Sequence, residues 1–543
     1  MSYKYIIENY NRPIVHIRQQ YAGKKFGLVI GSGVSKDLFL PNWKELLEKL
    51  CNNPEINGKE ILEYRDQENS QASITHMLYE HYKLQEITKR GLDGRVLSNE
   101  EERLITQSWL SIIHDELWKE FKPESLEPDF HPYLESYIDI IKGSTLTINY
   151  NFDDIIQTII SKKRSPEEKK EGIKLIETVW DARLQFQKNE GIIYHPNGFL
   201  PFNPLEGSSE SIVFSEDSFA DQLIASMAGH YSTLLHHLSK NTCLFIGLSL
   251  DDSNLKHILR QNAKINPGHL HYYIAFTPDK SKLTDCQKNA IKESNFELYN
   301  LITLFLDNQE IKDLGELLKM EPDEFIKQIR IVGKRIKFVY YLTGPVACGK
   351  TTSLQYFRNL KTFSEWPDQR NPLLALPWDT LNEDQKIEVD EWIADQFCIK
   401  NFNLEKHPEG LTVIDRTPLD PLTFTENKPN KLKEKAIFLN EKYGYGTNAY
   451  RIVKGQIILL KGNPEVLASR LKTRYKAETK VYDANYIRVM YDRFEELFRK
   501  LSYRVINTSE LSVHDVVRRI ARIIHYEDYT ENDLHSILDN LKN

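Results

Sequence analysis

Residues 344–352 leave few folds open to the chain that carries them: Gly344-Pro345-Val346-Ala347-Cys348-Gly349-Lys350-Thr351-Thr352. They complete the pattern G-x-x-x-x-G-K-[ST], between an apolar β-rich run, Lys337 to Leu342, and a helical pattern, SLQYFRNL. In such a turn backbone amides cradle α/β-phosphates, the lysine reaches the β/γ-phosphates and the hydroxyl ligates Mg²⁺. The spacing therefore predicts an α/β sheet here. It makes Gly344, Gly349, Lys350, Thr351 and Thr352 candidate triphosphate contacts, and Thr351 a candidate metal ligand.

Further on, Leu411-Thr412-Val413-Ile414 reads as a strand ending in Asp415-Arg416. A carboxylate at that end can hold Mg²⁺ through water or orient a hydroxyl acceptor, and the neighbouring arginine can neutralise phosphate. Gln456 to Leu460 and Tyr503 to Thr508 read as further strands, with a basic stretch between them, Ser469 to Lys480, that includes Arg470 and Arg474. The strand-then-Asp-Arg step and the basic lid resemble deoxynucleoside and thymidylate-type kinases over about 337–525. The resemblance implies a P-loop kinase-like α/β domain that takes ATP or another nucleoside triphosphate with Mg²⁺. It casts Asp415 as a catalytic or metal-binding group and Arg416, Arg470 and Arg474 as nucleotide contacts. Residues 526–543 read as a charged helical tail.

The N-terminal part has its own chain of strand-end signals. Phe26 to Ile30 is a buried-strand pattern running into Gly31-Ser32-Gly33-Val34-Ser35. Glycines there let a backbone turn sharply and approach a phosphate, and a following helix would offer its N-terminal amides. Lys36 stands where a dinucleotide fingerprint needs a third glycine, and two glycines after a strand also make an ordinary βα turn. A long helical stretch follows to about 142, in which Leu104, Ile105, Trp109, Ile112, Ile113 and Leu117 recur as one apolar face. The run Ser144 to Tyr150 is a strand that ends in Asn151, Asp153 and Asp154, which suit helix capping and catalysis equally. Gly191 to Tyr194 leads to His195-Pro196-Asn197-Gly198, where a histidine beside Pro and Gly is a candidate for acid/base work. Val213 to Phe219 reads as another strand-to-polar step, and Cys243 to Leu255 as a buried strand, small and hydroxyl residues, then a helix start.

In this order GSGVS, YNFDDII, YHPNGFLP and FIGLSLDDSNL resemble the SIR2-like domains of bacterial defence proteins, distant relatives of sirtuins, over about residues 20–310. The resemblance implies a Rossmann-type sheet with a helical insertion at about 44–142, binding NAD⁺ at its strand ends. Gly31, Ser32, Gly33 and Ser35 would then line the phosphates, and Asn151 would hold the nicotinamide ribose or the attacking water. Asp153 would hold the carboxamide, and Gly247, Ser249, Asp252 and Asn254 would border the adenosine half. Two departures stand out. Sirtuins carry two C-x-x-C pairs for zinc and peptide binding, and this chain has neither, which points from deacylation to NAD⁺ hydrolysis. The family pattern H-x-H-G puts its catalytic histidine directly before the glycine, where this chain has Asn197. Either His195 takes the role or the site runs without a strong base.

At 543 residues the chain exceeds one core, and its 40% hydrophobic and 27% charged residues are ordinary for a soluble protein. A formal charge of −7 argues against a general nucleic-acid binder. No apolar run approaches a bilayer span and the start lacks a signal-peptide core, so a cytoplasmic protein with no membrane partner is expected. Five scattered cysteines read as small buried hydrophobes. The basic cluster Lys327, Arg330, Lys334 and Arg335 reads as a solvated helix face. The expected layout is 1–310 SIR2-like, 311–336 linker, 337–525 kinase-like and 526–543 tail. The leading expectation is an NAD⁺ glycohydrolase controlled by a nucleotide-sensing domain, in antiphage defence by family analogy. Control would come from homo-oligomer assembly, a nucleotide or a phage-derived trigger. The alternatives are an active nucleoside or nucleotide kinase with an NAD- or ADP-ribose-binding regulatory domain, and a P-loop ATPase switch.

Overall fold

Apolar runs without alternation belong to strands covered on both faces, and the chain has two sets of them, one per sheet. The computed structural model describes all residues except 1–2, 64–70, 124–130, 164–175, 181–190, 211, 215–229, 251–252, 377–379, 408, 426–427, 445–451, 475–482 and 543. The protein is mixed α/β with two parallel sheets and divides into two units. The first comprises Met1–Ile6, Gln20–Asn262 and His271–Phe325; the second comprises Ile7–Gln19, Ala263–Leu270 and Ile326–Asn543. Among the described residues no helix is long and apolar enough to cross a membrane.

The first sheet has the order β3-β4-β2-β1-β5-β6-β7. Its strands are β1 (Phe26–Ile30), β2 (Thr147–Asn149), β3 (Glu177–Val179), β4 (Ile192–Tyr194), β5 (Thr242–Ile246), β6 (His271–Phe276) and β7 (Leu301–Leu306). The chain builds outward from β1 through β2, then returns to β1's other side with β5. Ile30 is in register with Asn149 on one side and Ile246 on the other. The C-terminal ends of β1, β2 and β5 thus meet where the strand order reverses, the usual crevice for a ligand. Between β1 and β2 the described residues form helices at Trp43–Asn52, Lys59–Glu63, Gln71–Lys89, Asn99–Trp118 and Leu134–Gly143. On Asn99–Trp118 the buried stripe is Ile105, Trp109, Ile112, Ile113 and Leu117. Leu104, expected on that stripe, is 45% exposed, because it lies one position, about 100° of helix, to the side.

The second sheet has the order β12-β11-β8-β10-β9, from β8 (Lys337–Thr343), β9 (Lys361–Phe363), β10 (Gly410–Asp415), β11 (Gln456–Lys461) and β12 (Tyr503–Asn507). One face is closed by Phe397, Leu439, Phe494 and Leu538 against Val339, Tyr341, Ile414 and Leu459. The N-terminal helix Lys4–Ala22 contributes residues 7–19 to this unit. Arg12 donates to the carbonyls of Ile524 and Glu527, satisfying the end of helix Val513–His525. Gln19 accepts from Leu411 N at 3.0 Å, and His16 meets Asn359 O at 2.6 Å. The side-chain amide of Asn359 donates to Leu270 O at 2.8 Å, so one asparagine ties both inserted segments to the unit.

Three local expectations are corrected. The glycine turn after β1 does not open a helix: it enters a single 3₁₀ turn, Lys36–Leu38, closed by Phe39 in the left-handed region at φ 65°. Pro41 keeps the residue before it extended, and the helix waits for the Asn42 cap at Trp43. The described part of the 213–219 step, Val213 and Phe214, is not a strand; Val213 N donates instead to Asn197 O at 2.8 Å. After the P-loop the helix is short, Lys350–Leu354, and the chain soon enters β9.

Candidate functional site

In the first unit the glycines allow one backbone to rest on another. Gly33 N donates to Gly247 O at 2.8 Å, and a Cβ on Gly33 would sit 2.9 Å from Gly247 Cα. Gly247 has φ 68°, and its own Cβ would meet Val34 N at 2.6 Å. The turn after β1 and the end of β5 therefore lie against each other, and this contact admits only glycine.

Beside it the polar residues of the β2 end converge. Ser35 Oγ donates to Asp153 Oδ2 at 2.8 Å, and Asn151 Nδ2 donates to Ser35 Oγ at 3.0 Å and to Gly31 O at 3.1 Å. Ser35, Asn151 and Asp153 are all buried. Burial pushes the Asp153 carboxyl up to about 6, against the pull of Ser35 and the Ile155 amide, with Asp154 adding to the rise. His195, at the end of β4, is fully buried, with Nδ1 2.7 Å from Asn151 O and Nε2 2.7 Å from the Gln157 amide nitrogen. Burial, opposed by the bond to Asn151, holds its imidazole down at about 4. Asn197 is buried and accepts from Val213 through its carbonyl. Ser32 lies within the glycine turn, half-buried, and Ser249 follows Gly247 in an exposed position. Asn254 lies in helix Ser253–Ile265, and Asp252 lies outside the described residues. Gly31, Ser35, Asn151, Asp153, His195 and Gly247 are thus brought together. Gln157 was missed by sequence reasoning, since its helix reads only as an apolar repeat.

In the second unit the P-loop follows β8. Gly344 has φ 139°, and a Cβ there would lie 2.1 Å from Leu460 O; Gly349 has φ 97°. Lys350 Nζ donates to the carbonyls of Gly344 and Pro345 at 2.8 and 2.9 Å, holding the turn closed on itself. Thr351 Oγ1 donates to Asp415 Oδ2 at 2.7 Å, while Asp415 Oδ1 is buried and has no hydrogen-bond partner among the described residues. Burial raises the Asp415 carboxyl, against Lys350 and Arg416. An orphaned carboxylate oxygen beside a hydroxyl suits Mg²⁺, which takes one or two carboxylates together with phosphates. Among the described residues no group of three or more His, Cys, Asp or Glu stands ready for a metal. Thr352 is exposed next to Thr351. Arg470 donates to Thr508 O at 2.7 Å. Arg474 ends helix Pro464–Arg474, and the rest of the basic stretch, 475–480, lies outside the described residues.

Arg416 is buried with φ 71°, a conformation a side-chain-bearing residue holds only under constraint. The constraint is charge: its Nε donates to Glu365 at 2.7 Å, and Asp420 lies 3.5 Å from Nη1. Burial would raise the Glu365 carboxyl, but Arg416 and Lys350 outweigh it and hold it low. The fully buried Lys400 donates to Asp415 O at 2.8 Å, and burial brings its ammonium down to about 8. Sequence reasoning missed Glu365 and Lys400. Neither sits in a recognisable motif: Glu365 follows a three-residue edge strand, and Lys400 lies inside a long helix.

Residues 145–302 match the family model described as the SIR2-like domain, which points to a role tied to NAD in general. A search of the curated proteins gives no match. Among solved structures, the chain is similar to deoxyadenosine kinase from M. mycoides with the products dCMP and a flexible dCDP bound. The identity is 16% and the TM-score 0.28, over 34% of this chain and 96% of that one. The same enzyme with bound dATP gives 17% identity and a TM-score of 0.27, over 33% of this chain and 96% of that one.

Proposed function

We propose that the first unit hydrolyses NAD⁺ to nicotinamide and ADP-ribose, and that the second binds a nucleoside triphosphate and controls it. The observation that carries this reading is the buried Asn151–Ser35–Asp153 set against the Gly33–Gly247 contact at the reversal of strand order. In the proposed reaction the C1′–N bond breaks and its electron pair leaves with nicotinamide. Water adds to C1′ and gives up a proton. Asn151 holds the ribose or that water, Asp153 the carboxamide, and the glycine turn the phosphates. In the second unit Lys350 meets the β/γ-phosphates, and Thr351 and Asp415 hold Mg²⁺, which neutralises phosphate charge when bound. Arg416, held by Glu365, would meet a phosphate oxygen. By family analogy the setting is antiphage defence in the cytoplasm.

The test is incubation of the whole chain with NAD⁺, with and without ATP and Mg²⁺, followed by product analysis. Release of nicotinamide is expected, and Asn151→Ala should lower it about 10²–10³-fold while ATP binding persists. Cleavage at the parental rate in that variant would remove Asn151 from the site. A second reading, a kinase whose first unit only binds NAD⁺, draws on Asn197 in place of the family histidine and on Glu365, a carboxylate able to take a hydroxyl proton beside the P-loop. A phosphorylated nucleoside with uncut NAD⁺ would favour it.

A further inference from the structure

We propose that His195 acts as a positioning residue for Asn151, in a tautomer set by the Asn151 carbonyl, and that it exchanges no proton with the substrate. The inference rests on the glycohydrolase reading above. Asn151 O is a carbonyl and can only accept, so Nδ1 of His195 carries the ring proton in that 2.7 Å bond. Nε2 is then the unprotonated nitrogen, and the Gln157 amide nitrogen, 2.7 Å away, donates to it. Both nitrogens are spent on protein partners, the ring is 0% exposed, and Phe199 packs on it with centroids 4.8 Å apart. A base needs a free nitrogen within reach of the proton it takes, and this ring offers none. What it does provide is a grip on Asn151. The residue's amide N–H is held by Asn149 Oδ1 at 3.1 Å and its carbonyl by His195. The side-chain amide is thereby aimed at Ser35 and Gly31.

The full chain and two variants decide it. In His195→Asn the amide nitrogen lies as many bonds from Cα as Nδ1 did, so the donor to Asn151 O is kept while Nε2 is deleted. In His195→Leu both are lost. The expected result is a His195→Asn enzyme within about threefold of the parent in kcat, with the same pH profile. His195→Leu should fall about a hundredfold in kcat at similar KM, the cost of a misplaced group in a site of this kind. Any acid limb near pH 6 should survive in His195→Asn, because Asp153 is the group expected to titrate there. Equal losses in both variants, or an acid limb that disappears with His195, would overturn the proposal. A ring spectrum of the ¹⁵N-histidine-labelled chain, assigned by the signal absent from His195→Asn, tests the tautomer without activity. An Nδ1–H form with no titration between pH 5.5 and 8 supports the strut, and an Nε2–H or titrating ring sinks it. If the wild type leaves NAD⁺ uncut, the glycohydrolase reading fails, and the ring spectrum still decides the tautomer.

Discussion

Asp153 sits where burial and hydrogen bonding pull in opposite directions, and burial wins: its carboxyl rises from 3.8 to about 6. Between those values the native chain holds a proton that the unfolded chain has lost. Stability from this group is therefore fully present below pH 3.8 and is lost as pH rises through about 6. Asp153→Asn removes the titration. Wild type should thus gain on the variant in denaturant midpoint as pH drops from 7 to 4.5; a constant gap would show that Asp153 ionises normally. Single residues were legible where a motif surrounds them. Asn151 and Asp153 follow a strand, and Lys350 and Thr351 belong to a complete pattern. Glu365 was not, because its strand, Lys361–Phe363, is a three-residue edge strand with no apolar run to announce it. Nor was the Gln157–His195 pair, whose partners lie on separate elements with no common spacing.

Strands came through the sequence more clearly than their connections. β1, β5, β8, β10 and β11 are apolar runs read at nearly their observed bounds, since parallel strands buried on both faces leave little room for polar residues. The turn after β1 was misread as a helix start because its partner, Gly247, comes directly after β5, far along the chain, and that contact dictates the path. The contact gives a direct test. Gly247→Ala would carry a left-handed conformation costing about 1–2 kcal/mol and a Cβ 2.6 Å from Val34 N. The melting temperature of the first unit should fall, and on the proposed reading NAD⁺ cleavage should fall with it while ATP binding by the second unit stays unchanged. A fully active Gly247→Ala enzyme would mean that the two backbones part without consequence.

Two parallel sheets were legible from the order of motifs, each with a candidate site at its strand ends; the interleaving of the chain was not. Residues 7–19 and 263–270 interrupt the sequence of the first unit at two places, yet count with the second. Nothing local marks them, because Arg12, His16 and Gln19 find partners more than 300 residues away. A fragment of residues 337–543 alone would lack both segments. Its helix Val513–His525 would lose the Arg12 cap and Leu411 its Gln19 partner, so it should melt well below the second transition of the whole chain, or not fold. Calorimetry of both would show it, and a fragment as stable as the parent would make the inserted segments dispensable. If nucleotide occupancy biases NAD⁺ cleavage, Lys350→Ala should blunt that dependence, and by linkage a non-hydrolysable NAD analogue should shift ATP affinity by the same factor. Equal ATP affinities in titrations with and without the analogue would leave two independent activities.

The helix Lys4–Ala22 also sets an order of events during synthesis. It is made well before its partners, because Asn359, Leu411, Ile524 and Glu527 all follow Ile326 in the chain. At roughly 5–20 residues per second, its central residues wait on the order of 20–100 s for these partners. The second unit is therefore sealed only after Glu527 has been made. A ribosome halted before β8 would release a chain in which Arg12, His16 and Gln19 lack these partners, and a quality-control protease could read that stretch as the mark of an incomplete chain.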